Sequence, residues 1–79
     1  MKVLVFRFVG GMRNGEEIRS DKPGDNQEEA DMLWKQTWNG TVGRRFDVPI
    51  SAAGVFQRYQ IKSKFDAEGE IHITCQHVG

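Results

Sequence analysis

Seventy-nine residues suffice for one small domain with a modest core, which leaves little material for a deep enclosed pocket and counts against an enzyme. Eleven Lys and Arg balance eleven Asp and Glu, so the chain lacks the basic excess of a general polyanion binder. The single cysteine, Cys75, cannot form an internal bridge, which points to a reducing, cytoplasmic setting; the longest apolar run, Val3 to Val9, is broken by Arg7 and falls far short of the ~20 residues of a membrane span.

Lys2 to Val9 is rich in β-branched and aromatic residues and reads as a strand. Leu4, Phe6 and Phe8 share one face, and Val3, Val5, Arg7 and Val9 the other. Apolar residues on both faces suit a central strand. Gly10-Gly11 and Asn14-Gly15 are turn signals, after which Glu16 to Ser20 returns as a short, charged edge strand with Ile18 inward. Ser20 to Asn26 is turn chemistry throughout.

A helix is expected over residues 27–38, capped by Asp25 or Asn26, with acidic residues in its first turns. Ala30, Leu33, Trp34, Thr37 and Trp38 form its apolar stripe, and Asn39-Gly40 ends it. The two tryptophans give it a large area to bury against the sheet.

Arg44 to Ile50 alternates, with Phe46, Val48 and Ile50 on one side and Arg45, Asp47 and Pro49 on the other. Pro49 makes it an edge strand or the end of one. Ser51 to Gly54 is a small-residue turn. Val55 to Phe65 follows as a strand with Val55, Tyr59, Ile61 and Phe65 inward and Arg58, Gln60, Lys62 and Lys64 outward. Asp66 to Gly69 turns the chain into Glu70 to Val78, where Ile71, Ile73, Cys75 and His77 face inward. The order β-β-α-β-β-β is expected to give an α+β fold: a small antiparallel sheet with one helix on one face.

No arrangement of residues meets the requirements of a catalytic or cofactor site. The glycine-rich turn at Gly10 is not followed by a helix whose amides could converge on a phosphate. His72 points away from Cys75 and His77, and two ligands do not make a zinc site. Cys75 lies between inward positions, which suits a small buried hydrophobe better than a reactive thiol. The carboxylates sit in caps, loops and turns rather than converging. No metal and no cofactor are expected.

Between Arg44 and Lys64 there are five basic residues and one acidic. Arg44, Arg45, Arg58, Lys62 and Lys64, with Phe56 among them, form the candidate contact surface. It reads first as a solvated face whose long side chains cover apolar surface, and second as a grip on single-stranded nucleic acid by phosphate contact and stacking.

The run Phe8-Val9-Gly10-Gly11-Met12-Arg13-Asn14-Gly15 resembles the opening of a loose group of small bacterial and phage proteins, which begin with a strand and an F-x-G-G-P-x-D-G turn. Met12 stands where that pattern has proline, and Asn14 where it has aspartate. Tyr59 on a strand and the Phe65-Asp66-Ala67-Glu68-Gly69 hairpin are similar to the same group. The resemblance implies a small accessory protein and carries no functional residues with it. The function expected is therefore a non-enzymatic interaction module with a protein partner, able to use its edge strands on that partner or on a second copy. A nucleic-acid-binding domain is the alternative, and an enzyme or metal protein comes last.

Overall fold

The computed structural model describes residues 2–50 and 54–79 and shows an α+β fold. The elements are β1 (Val3–Val9), β2 (Glu17–Arg19), α1 (Asp25–Gln36), β3 (Arg45–Pro49), β4 (Phe56–Ala67) and β5 (Glu70–His77). The five strands form one sheet in the order β2-β1-β5-β4-β3. The small-residue turn expected from Ser51 lies, except for Gly54, outside the described residues.

The sheet is mixed, not wholly antiparallel as expected. β1 and β5 run parallel, with Leu4 opposite Ile71, Phe6 opposite Ile73 and Phe8 opposite Cys75. Hairpin chemistry fixes only neighbours in sequence, so it specifies β1 with β2, β3 with β4 and β4 with β5. The chain crosses from β2 to β3 through α1, and a helical crossover lets the second block of strands arrive in either direction.

One face of the sheet carries the core. Leu4, Phe6, Phe8, Ile18, Phe46, Val48, Tyr59, Ile61, Ile73 and Cys75 are buried against Ala30 and Leu33 of α1, with Trp34 and Ile71 packed alongside. Leu33 is fully buried, and truncating it to alanine removes apolar contact of the kind that costs about 2–5 kcal/mol. The sheet curls around α1, which packs on β1 and β2 and also reaches the far edge at β3. Among the described residues no helix covers the opposite, convex face.

Both helix ends differ from expectation. Gly24 occupies the N-cap at φ 82° and ψ −139°, a conformation few residues but glycine adopt, and no side chain caps the helix. Asp25 and Asn26 are therefore inside it rather than capping it. At the other end Trp38 and Asn39 take positive φ of 53° and 61°, which takes Trp38 off the helical repeat. It leaves the apolar stripe and stands 66% exposed, with the Arg44 guanidinium 3.8 Å from its ring centroid. Thr37 is buried in its place; its hydroxyl donates to Leu33 O and accepts from Gly40 N.

Strand β4 also departs from regular alternation. Ile61 pairs with Cys75, but Ser63 pairs with Thr74, so Lys62 is an extra residue in a β-bulge. The bulge resets the alternation. Lys64 lies opposite Ile73 on the helix side, where its ammonium is 5.1 Å from the Trp34 ring centroid and donates to Asn39 O. Phe65 lies opposite His72 on the convex face. The expected assignment of these two residues is thus reversed. Val55, expected inward, precedes the strand and is half-exposed.

Candidate partner-binding surfaces

The six candidate contact residues do not form one patch. Arg45, Phe56 and Arg58 stand on the convex face of β3 and β4, and alternation from Ile61 sends Lys62 the same way. Arg44 is drawn over Trp38 and Lys64 over Trp34, so these two cations serve the helix side. Arg58 Nε donates to Asp47 Oδ1 at 3.3 Å, an exposed pair of little energetic weight. Among the described residues Arg45 and Lys62 join no ion pair.

The bulge adds Phe65 to this face, beside His72, which alternation along β5 already points outward. Phe65 is 53% exposed and stacks on His72, with ring centroids 5.0 Å apart and planes within 8°. The signal was present in the alternation, since it placed the polar Ser63 on the inward side between Ile61 and Phe65. The remainder of the convex face, over β1 and β2, is an ion-pair lattice. Arg7 pairs with Glu17, and Arg19 with Glu17, Asp21 and Glu70. The hydrogen bond from Arg7 lowers the pKa of Glu17, and that from Arg19 lowers the pKa of Asp21.

A second surface runs along the free edge of β3. Met32, Lys35 and Gln36 of α1 face Asp47, Pro49 and Phe56 across an open groove. Its apolar walls, Met32 at 48% and Phe56 at 58% exposure, are well above what a core position shows. Toward the helix start the surface becomes acidic, with Asp25, Glu28 and Glu29 around Met32. Two carbonyls of the strand edge in this groove are already occupied. Gln36 Nε2 donates to Asp47 O at 3.2 Å, Arg13 Nη1 donates to Pro49 O at 3.2 Å, and Pro49 has no N–H to offer. The addition of a partner strand here, expected from the sequence, meets carbonyls that are already occupied. The other edge, β2, is only three residues long.

The glycine-rich turn is a structural lock. Tyr59 Oη donates to Gly10 O at 2.7 Å and accepts from Arg13 N, while Met12 N donates to Gln57 Oε1. Gly11, at φ +68°, lies so close that a Cβ would fall 2.5 Å from Tyr59 Oη. The Arg13 side chain, only 11% exposed, grips Glu29 and Glu16 and lies over the Phe8 ring. The hydrogen bonds Arg13 donates to Glu29, aided by those to Glu16, raise its pKa against the opposing effect of burial. No helix opens on this turn, and its amides are used internally.

Cys75 is buried, and desolvation pushes its thiol pKa up to about 12. It shares the helix side with His77, while His72 lies on the convex face with Nε2 3.0 Å from Glu70. Among the described residues no group of three or more His, Cys, Asp or Glu converges as a metal site would require. No helix among them is long and apolar enough to cross a membrane. Comparison with family models, with curated proteins and with solved structures finds no match.

Proposed function

We propose that the chain is a non-enzymatic interaction module whose groove between α1 and β3 takes a segment of a protein partner. The observation that carries this reading is the pairing of two half-exposed apolar side chains, Met32 and Phe56, across an open groove with an acidic end. Large apolar side chains exposed around a concavity mark binding sites more often than isolated exposed ones do. The acidic end favours a segment with basic residues beside its apolar anchor, because Asp25 and Glu28 would meet them. With the Asp47 and Pro49 carbonyls occupied, such a segment would bind through its side chains and not by strand addition.

A peptide library displayed against the immobilised full chain tests this. Selection should enrich sequences with a large apolar residue next to Lys or Arg. Met32→Glu should weaken a selected peptide by at least about 30-fold, as expected of a central anchor contact. Trp38→Ala, at the far end of the helix, should leave it unchanged. Failure to enrich any such sequence, or indifference to Met32→Glu, would overturn the reading.

A further inference from the structure

We infer that the convex face of β4 is a binding track for single-stranded nucleic acid, a site that meets the protein-binding groove only at Phe56. In chain order the outward side chains are Phe56, Arg58, Gln60, Lys62, Ser63 and Phe65. The two aromatic rings are exposed at either end, with two cations and an amide between them. Arg45 adds a third cation beside Gln60, and Gln76 a second amide on its other flank. Phe65 follows Phe56 by nine positions, a span of a little under ~30 Å along a bulged strand.

This combination fits the chemistry of a single strand. Unpaired bases offer both faces for stacking, and their phosphates recur along the track between them. A duplex hides those faces, so it would engage only the cations. Phe65 is already braced against His72, so a base stacking on it would not have to immobilise a free side chain. The bulge makes the site, because in an unbroken strand Lys64 would face outward and Phe65 would lie in the core. The neutral total charge conceals the local excess. Arg45, Arg58 and Lys62 face outward against Asp47, and Glu70 near the Phe65 end is taken up by Arg19 and His72, while the acidic residues of α1 lie on the other side.

The experiment is fluorescence anisotropy of a labelled oligothymidylate of about twelve nucleotides, within the usual site size, titrated with the full chain at about 50 mM salt. Saturable binding is expected, with a duplex of equal length binding at least tenfold more weakly. The slope of log K against log salt should lie near −2, from three phosphate contacts at about −0.7 each. Phe65→Ala should weaken binding roughly 5- to 150-fold, the range of one lost stacking contact, and Phe65→Trp should restore it. Arg45→Glu with Lys62→Glu should abolish it. All four side chains are exposed, so thermal melting should show each variant folded. Met32→Glu should have no effect, which separates this site from the groove. Absence of binding to the oligothymidylate, equal binding to the duplex, or a Phe65→Ala variant that binds unchanged would each overturn the inference.

Discussion

Tyr59 shows how much a single side chain can fix in a domain this small. Its ring packs edge-on against Phe8 and His77, and its hydroxyl bridges Gly10 O and Arg13 N. Tyr59→Phe keeps the ring but leaves the Gly10 carbonyl unpaired, so it should cost about 1–3 kcal/mol in urea unfolding. Gly11→Ala should cost at least about 2 kcal/mol, from a left-handed backbone carrying a Cβ and from overlap with the Tyr59 hydroxyl. The two effects should not add. Removing the hydroxyl at 2.5 Å relieves part of the overlap, so the double variant should lose less than the sum of the singles. Strict additivity would show that the contact is not felt. Cys75 gives a prediction in pH. Its folded pKa of about 12 lies above the ordinary 9.0, so the unfolded chain releases its proton first. The thiol's contribution to stability is complete below pH 9 and is lost as pH rises toward 12. Cys75→Ala should remove that component, and the native thiol should resist alkylation at pH 8 except at the rate of unfolding. Rapid stoichiometric labelling of the folded chain would contradict the buried assignment.

At the scale of the element, strand identity was legible and strand geometry was less so. All five strands and the helix lie within two residues of where alternation and helical spacing put them, because apolar periodicity reports which face an element buries. The bulge at Lys62 breaks that rule inside a single strand, so the faces of Lys64 and Phe65 came out reversed. Trp38 failed for a related reason: the helical repeat was extended past the point where the backbone turns left-handed. The bulge makes a sharp prediction. Deleting Lys62 removes the residue that has no partner, so Ser63 should still pair with Thr74 and Phe65 with His72. Stability should change by no more than about 1 kcal/mol, and the Phe65–His72 ring contacts should persist in NMR spectra. Deleting Gln60, two positions earlier, should instead drive Tyr59 and its neighbours onto the wrong face and abolish folding. If both deletions behave alike, the bulge is misplaced. The β3 edge offers a second test. Gln36→Ala with Arg13→Ala frees the Asp47 and Pro49 carbonyls, and the edge should then pair with other copies. Sedimentation should show concentration-dependent association that the single Gln36→Ala variant lacks.

Across the whole molecule, the sequence carried least about how distant parts meet. The parallel pairing of β1 with β5 joins segments more than sixty residues apart, with no turn between them to announce it. The same holds for the candidate surfaces. Arg45 and Arg58 stand on one face of the sheet, but Arg44 and Lys64 are taken by the two tryptophans, and the groove depends on a helix meeting an edge strand distant from it in the chain. What the fold adds is polarity. Helix α1 holds Asp25, Glu28, Glu29 and Asp31 against Lys35, while the convex face of β3 and β4 holds Arg45, Arg58 and Lys62 against Asp47. The neutral chain is therefore a charge dipole, and its shortest extent is 21 Å. At about 10 mM salt the screening length of ~30 Å exceeds that thickness, so the acidic side of one copy attracts the basic side of another. At about 150 mM the length falls to ~8 Å and the attraction is confined to direct contact. Light scattering should accordingly give a negative second virial coefficient at low salt that rises toward zero or above at physiological salt. Glu28→Lys with Asp31→Lys changes the net charge from zero to plus four and weakens the acidic side, so it should give a positive coefficient at both. If added salt instead makes the wild-type chain more attractive, apolar surface and not the charge dipole governs its self-association. The Met32–Phe56 groove would then be the first place to look.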